Sequence, residues 1–275
     1  MKQRIITALV AIPIALLLIC LGGWFYNLGV AVLALVGWQE FYRMLVSRDA
    51  KLYYVTGGIS VICLVLSAAV GKAHYSVPIL AIAILAIMLE ALYNNSNGQW
   101  VTSVSLTSFG VLYIGLLFGH FILLRQMPGQ QVPLLAHFTL DRGEALLWVV
   151  LLGTWASDTF AYFFGVAFGK HKLIPAVSPK KSVEGAVAGF VGSILVVMAL
   201  GVKWLDYAPE KVLGLAVIIA IFAPLGDLVE SILKRNCEIK DSGNFFPGHG
   251  GVLDRCDSLL YAISLAYYYI TLVLV

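Results

Sequence analysis

The chain has 275 residues, 60% of them apolar and only 12% charged, with a net charge of +3 and a mean hydropathy of +0.91. A soluble domain carries about 25% charged residues, so half that supply cannot cover a water-soluble protein of this size. Outer-membrane strands alternate polar and apolar residues over about ten positions, whereas the apolar runs here continue unbroken for about twice that length. The composition predicts an all-α polytopic integral membrane protein, in which each helix satisfies its own backbone polar groups. No CxxC pair exists; Cys20 and Cys63 lie in apolar runs, Cys237 and Cys256 flank a polar loop. All four read as reduced, small apolar residues rather than zinc ligands.

About nine transmembrane helices are predicted, near residues 5–22, 25–46, 53–70, 76–93, 101–124, 145–168, 184–201, 211–233 and 252–275. At about 1.5 Å per residue each can cross a core of about 30 Å, allowing for tilt. The first follows Met1-Lys2-Gln3-Arg4, and no small-residue cleavage site follows Gly22-Gly23-Trp24, so it reads as a retained span. With nine spans, one face collects Lys2, Arg4, Arg43, Arg48, Lys51, Lys170, Lys172, Lys180, Lys181, Lys234, Arg235, Lys240 and Arg255, thirteen of the eighteen Lys and Arg residues. Lys72, Arg125, Arg142, Lys203 and Lys211 fall on the other. That bias puts the N-terminus in the cytoplasm and the C-terminus outside, in the inner (cytoplasmic) membrane.

Chemistry divides the chain unevenly. Residues 1–144 read as scaffold and lipid-facing helices, and 145–275 as the catalytic region with its cytoplasmic loops. The first polar constellation is Thr154, Asp158 and Tyr162, spaced i, i+4, i+8 on one helix face expected to look into the bundle. A carboxylate at mid-span costs about 2.5–3.5 kcal/mol on insertion scales, so Asp158 reads as an ion or substrate ligand, with a packing hydrogen bond as the alternative. The second is Ser178-Pro179-Lys180-Lys181-Ser182, where Pro179 is placed for a helix start after Ser178 and the lysines suit phosphate. Basic cytoplasmic loops also arise for topological reasons alone.

The third is Pro224-Leu225-Gly226-Asp227-Leu228-Val229-Glu230-Ser231-Ile232-Leu233-Lys234-Arg235. Pro224 and Gly226 predict a helix broken just before Asp227. Asp227, Ser231 and Lys234 share a face, and Asp227 and Glu230 repel unless a cation or lysine joins them. The fourth runs from Lys240-Asp241 through Gly248-His249-Gly250-Gly251 to Asp254-Arg255-Cys256-Asp257. Its glycines let backbone approach a ligand. Asp254 and Asp257, i and i+3 at the entrance of the last span, suit Mg²⁺ bridged to substrate phosphates, while Lys240 and Arg255 suit the phosphate oxygens. His249 stands out from His74, His120, His137 and His171 by its place between glycines in a charged loop.

The 27 positions from Ser231 to Asp257 resemble the signature of the phosphatidate cytidylyltransferase (CDP-diacylglycerol synthase) family. The one departure noticed is Cys256, where the family has a larger apolar residue or Thr. The Ser157-Asp158, Ser178–Ser182 and Gly226-Asp227 segments resemble family motifs too, whereas the N-terminal half resembles the family only as a set of apolar helices. The resemblance implies that CTP and phosphatidate give CDP-diacylglycerol and pyrophosphate, by in-line attack of the lipid phosphate on the α-phosphorus. It implies Mg²⁺, with Mn²⁺ as substitute and room for a second cation, held by Asp227, Asp254, Asp257 and Asp158. Asp227, Lys240, Asp241, His249, Asp254, Arg255 and Asp257 are the expected catalytic set. Ser178, Lys180, Lys181, Ser182, Ser231, Lys234, Arg235, Gly250 and Gly251 are expected at the substrates. A homodimer among membrane lipid is implied, and no nucleic acid.

Two rivals fit less well. A cation-coupled transporter explains Asp158, Asp227 and a broken helix but needs no Lys240-Asp241 or His249-Gly250-Gly251. A CDP-alcohol phosphotransferase would carry a DGxxAR run, and none exists here.

Overall fold

The computed structural model describes residues 2–71, 73–94, 98–135, 138–205 and 207–274; Lys72 and His137 lie outside them. Nine helical segments follow one another among the described residues: α1 Lys2–Leu21, α2 Gly23–Val46, α3 Tyr54–Ala69, α4 Ser76–Tyr93, α5 Trp100–Arg125, α6 Arg142–Phe168, α7 Val183–Trp204, α8 Pro209–Asn236 and α9 Leu253–Leu274. Each coincides with an expected span to within a few residues. Seven are long and apolar enough to cross a membrane, while the apolar parts of α1 (Ile6–Leu21) and α3 are shorter. At about 1.5 Å per residue, the 16 residues of α3 reach only about 24 Å. Large apolar side chains stand exposed along α1, α4 and α7, among them Ile12, Leu85 and Val187, as lipid-facing surface requires.

The loops hold two short antiparallel hairpins that the sequence reading did not foresee. β1 (Val132–Leu135) pairs with β2 (Phe138–Leu140), and β3 (Lys172–Ile174) with β4 (Ser178–Ser182), where Lys172 faces Ser182 and Ile174 faces Ser178. Pro179 therefore lies on a strand rather than at a helix start. The helix begins one turn later, with Ser182 as N-cap, its Oγ accepting from the Gly185 N–H at 3.2 Å. The expected break near Pro224 is also absent: α8 runs unbroken through it. Proline removes one helical hydrogen bond, which this 28-residue helix tolerates.

The chain packs as two compact units. One comprises residues 1–123 and 236–255, the other 124–235 and 256–275. In the first, Trp38 and Phe41 of α2 form a fully buried aromatic core. Helices α3 and α5 reach it through Gly57 and Gly110, where a Cβ would lie 2.3 Å from the Trp38 ring and 2.5 Å from the Phe41 ring.

In the second unit α6 and α7 pack backbone to backbone where Gly165 meets the Gly185-x3-Gly189 stripe of α7. A Cβ on Gly185 would sit 2.7 Å from the Ala161 carbonyl and 3.1 Å from Gly165 Cα; one on Gly189 would sit 2.7 Å from the Ser157 carbonyl. Replacing Gly189→Leu should force this seam apart and cost about 1–3 kcal/mol. A thermal melt of the detergent-solubilised protein should show a midpoint several degrees lower; an unchanged midpoint would mean that the seam does not limit stability.

Candidate active site

The second unit brings five of the expected residues into one cluster. Lys181, at the end of β4, places its Nζ 2.7 Å from Asp227 Oδ2 on α8. Ser231, one turn on, donates to Asp227 Oδ1 at 3.3 Å. Asp257 on α9 lies in the field of Asp227 and accepts the Ser258 N–H at 2.7 Å. Asp158 on α6 feels Asp227, Asp257 and Lys181 together.

Gly226 explains how α8 and α9 approach so closely: a Cβ there would stand 2.4 Å from the Asp257 carbonyl oxygen. The glycine read from sequence as a helix breaker instead admits the neighbouring backbone. That contact brings the carboxylates of residues 227 and 257 toward one another.

Asp227 and Glu230, the two acids in the C-terminal third of α8, each have their own lysine. Glu230, fully buried, pairs with Lys234 at 3.2 Å. Lys234 thus pairs with Glu230, while Lys181 pairs with Asp227. Arg235 Nε donates to the Val177 carbonyl at 3.4 Å, tying the end of α8 to the β3–β4 hairpin. On the same hairpin Lys180 is exposed and Ser178 half-buried. Of the α6 triad only Thr154 looks into the bundle. Tyr162 is 66% exposed and Asp158 is accessible, so this face turns from packed to open along its length.

In the first unit, residues 240–255 fold around two carboxylates. Glu40, from the middle of α2, is buried. Its Oε1 accepts the Val252 N–H at 2.9 Å, and its Oε2 accepts the Leu253 N–H at 3.0 Å and lies 3.1 Å from Ser242 Oγ. Asp254 Oδ2 accepts the N–H groups of Ser242 and Gly251, both at 2.8 Å, and lies 3.0 Å from the same Ser242 hydroxyl.

The glycines fit these acids closely. A Cβ on Gly250, where φ is +90°, would lie 2.5 Å from Asp254 Oδ2, and one on Gly251 or Gly243 would strike Glu40. Gly250 and Gly251 therefore let the loop close on its own carboxylates, whereas the sequence reading gave them to a ligand. Phe246 and Gly250 form a bridge, and Arg255 Nε donates to the His249 carbonyl at 2.9 Å. His249 Nδ1 is buried with no hydrogen-bond partner, while Lys240 and Asp241 are exposed.

The sequence profile of the cytidylyltransferase family matches residues 2–273. The chain belongs to that family. It is 32% identical to a phosphatidate cytidylyltransferase of Synechocystis over 99% of this chain and 97% of the relative. It is 31% identical to one from Bacillus subtilis, over 99% and 98%, and 31% to one from Staphylococcus haemolyticus, over 96% and 97%.

In this cytidylyltransferase-family chain, sequence reasoning missed Glu40 and left Glu230 outside the site. Glu40 carried a usable signal, since it is an acid within an otherwise apolar span, like Asp158. Leaving a buried donor without its acceptor costs about 1–3 kcal/mol. Glu40→Ala should therefore loosen the loop, raising amide exchange at Val252 and Leu253 by about tenfold or more. Glu40→Gln, which keeps one acceptor oxygen, should fall between. Exchange unchanged in Glu40→Ala would deny Glu40 this role.

Proposed function

We propose that this chain transfers the cytidylyl group of CTP to phosphatidate, releasing pyrophosphate and forming CDP-diacylglycerol, at the cytoplasmic face of the membrane. The observation that carries the reading is the Lys181–Asp227 ion pair held beside Asp257 and Asp158 among apolar helices. The full-length likeness to proteins named phosphatidate cytidylyltransferase supports the substrate pair, and the thirteen-to-five division of basic residues supports the orientation. A homodimer is the assembly we infer from the family resemblance.

In this reaction an oxygen of the phosphatidate headgroup bonds to the α-phosphorus of CTP while the bond from that phosphorus to the pyrophosphate oxygen breaks. The nucleophile is already an anion at neutral pH, so no strong base is needed. The obstacle is bringing two anions together, which fixed cationic groups offset. Lys181 neutralises Asp227 and can turn to a phosphate oxygen. Lys180 on the same strand adds exposed charge, and Ser231 steadies the Asp227 carboxylate. Lys240 and Arg255 on the first unit's loop are suited to phosphate oxygens as well.

The residues fit a magnesium ion by donor chemistry. Among the described residues no three His, Cys, Asp or Glu side chains converge as an all-protein cage requires. Magnesium, however, is usually held by only one or two carboxylates, with waters and substrate phosphates completing its shell. Asp227 and Asp257 supply such a pair, with Asp158 as a further hard oxygen donor. Asp254 commits one oxygen to three loop donors, which favours organising the loop over binding the ion. When bound, the ion would draw negative charge off the phosphates during transfer.

Radiolabelled CTP incubated with phosphatidate micelles and the purified protein should deliver label to the organic phase. Chelation with EDTA should stop the transfer and Mg²⁺ restore it. No organic label with any divalent ion would overturn the assignment, and full activity after exhaustive chelation would remove the metal from it.

A further inference from the structure

The ends of α2 to α5 in the first unit line an open cavity of about 680 Å³ that shares no lining residue with either carboxylate cluster. Tyr42, Tyr54, Tyr93 and Trp100 line it, together with Glu90 and Lys51. The wall is fixed by its own bonds. The Tyr42 and Tyr54 rings meet at 4.6 Å between centroids. Trp38 Nε1 donates to the Tyr54 carbonyl at 3.0 Å, and the Tyr53 N–H donates to Thr107 Oγ1 at 3.1 Å. Thr56 Oγ1 donates to Glu90 Oε2, anchoring the carboxylate.

This lining has a definite chemical preference. Aromatic faces attract cations, and most strongly where water is displaced; a fixed carboxylate beside them adds to that attraction. Lys51 supplies the opposite charge on the same wall. A ligand carrying both an ammonium and a phosphate matches the pair, whereas one with phosphate alone leaves Glu90 and the rings unanswered. Tyr and Trp at helix ends mark the depth of lipid headgroups. Beside the cavity α4 presents Leu85, Leu89 and Leu92, each more than half exposed, a track suited to acyl chains.

We propose that this cavity binds the headgroup of an ammonium-bearing zwitterionic phospholipid, with the ammonium at Glu90 and the aromatic rings and the phosphate toward Lys51. Phosphatidate has no ammonium, so the site is separate from that of the reaction and selects a different lipid.

Native mass spectrometry of the full chain in detergent tests this directly. The protein is titrated with phosphatidylethanolamine and, separately, with phosphatidylglycerol of the same acyl chains, which keeps the phosphate and lacks the ammonium. The expected result is retention of phosphatidylethanolamine about tenfold tighter. Glu90→Gln should abolish the preference. Tyr93→Leu, at a side chain 86% exposed and therefore tolerant of change, should reduce it. Equal retention of the two lipids by the unaltered protein, or a preference that survives both substitutions, would overturn the proposal. Neither result bears on whether CTP and phosphatidate react at the carboxylate cluster, so the two readings fail separately.

Discussion

Carboxylates inside apolar spans must be paired or turned to some purpose, because each costs about 2.5–3.5 kcal/mol to insert at mid-membrane. The second unit meets that constraint by close approach. Gly226 lets α8 lie against the backbone of α9, and the contact sets Asp257 in the field of Asp227. Lys181 then reaches Asp227 from the hairpin, while Lys234 answers Glu230. The glycine seam between α6 and α7 carries Asp158 into the same field. Without those close contacts the acids would be separate liabilities; with them they form one charged centre.

The first unit solves a different problem with the same residue types. The sixteen residues 237–252, which form neither helix nor strand, must be held in place by other means. Glu40 and Asp254 accept N–H groups of this stretch and of Leu253 as a helix or sheet would otherwise do, and glycines leave room for the two acids. Each carboxylate spends its oxygens on several donors, and Ser242 lies within hydrogen-bond distance of both. The acids of these two clusters thus differ by partner: Asp227 and Glu230 pair with lysines, whereas Glu40 and Asp254 hold backbone N–H groups in place.

The parts legible in the sequence were those governed by length and periodicity. Nine apolar runs match nine helical segments among the described residues, seven of them long and apolar enough to cross a membrane, and residue type and spacing alone point to Asp158, Lys181, Asp227 and Asp257. Pro224 does not end the helix, because its local cost is small beside the length of helix on either side. Gly226 misled because a glycine that loosens a helix and one that admits a neighbour look alike in one dimension. The strands at 172–174 and 178–182 are too short to show alternation. Glu40 escaped because its partners lie more than two hundred residues away, at Ser242, Val252 and Leu253; nothing local shows such a contact.

The central claim is that the acids of α8 and α9 act on the substrates rather than merely holding the helices together. Asp257→Asn preserves size and hydrogen-bonding capacity while removing one charge, so it separates the two roles. The measurement is the rate of cytidylyl transfer by monodisperse, folded Asp257→Asn protein at limiting Mg²⁺. The account predicts a fall of about a thousandfold, equivalent to about 4 kcal/mol of transition-state stabilisation, in a protein that elutes and melts like the parent. Turnover within a few-fold of the parent's under those conditions would contradict it.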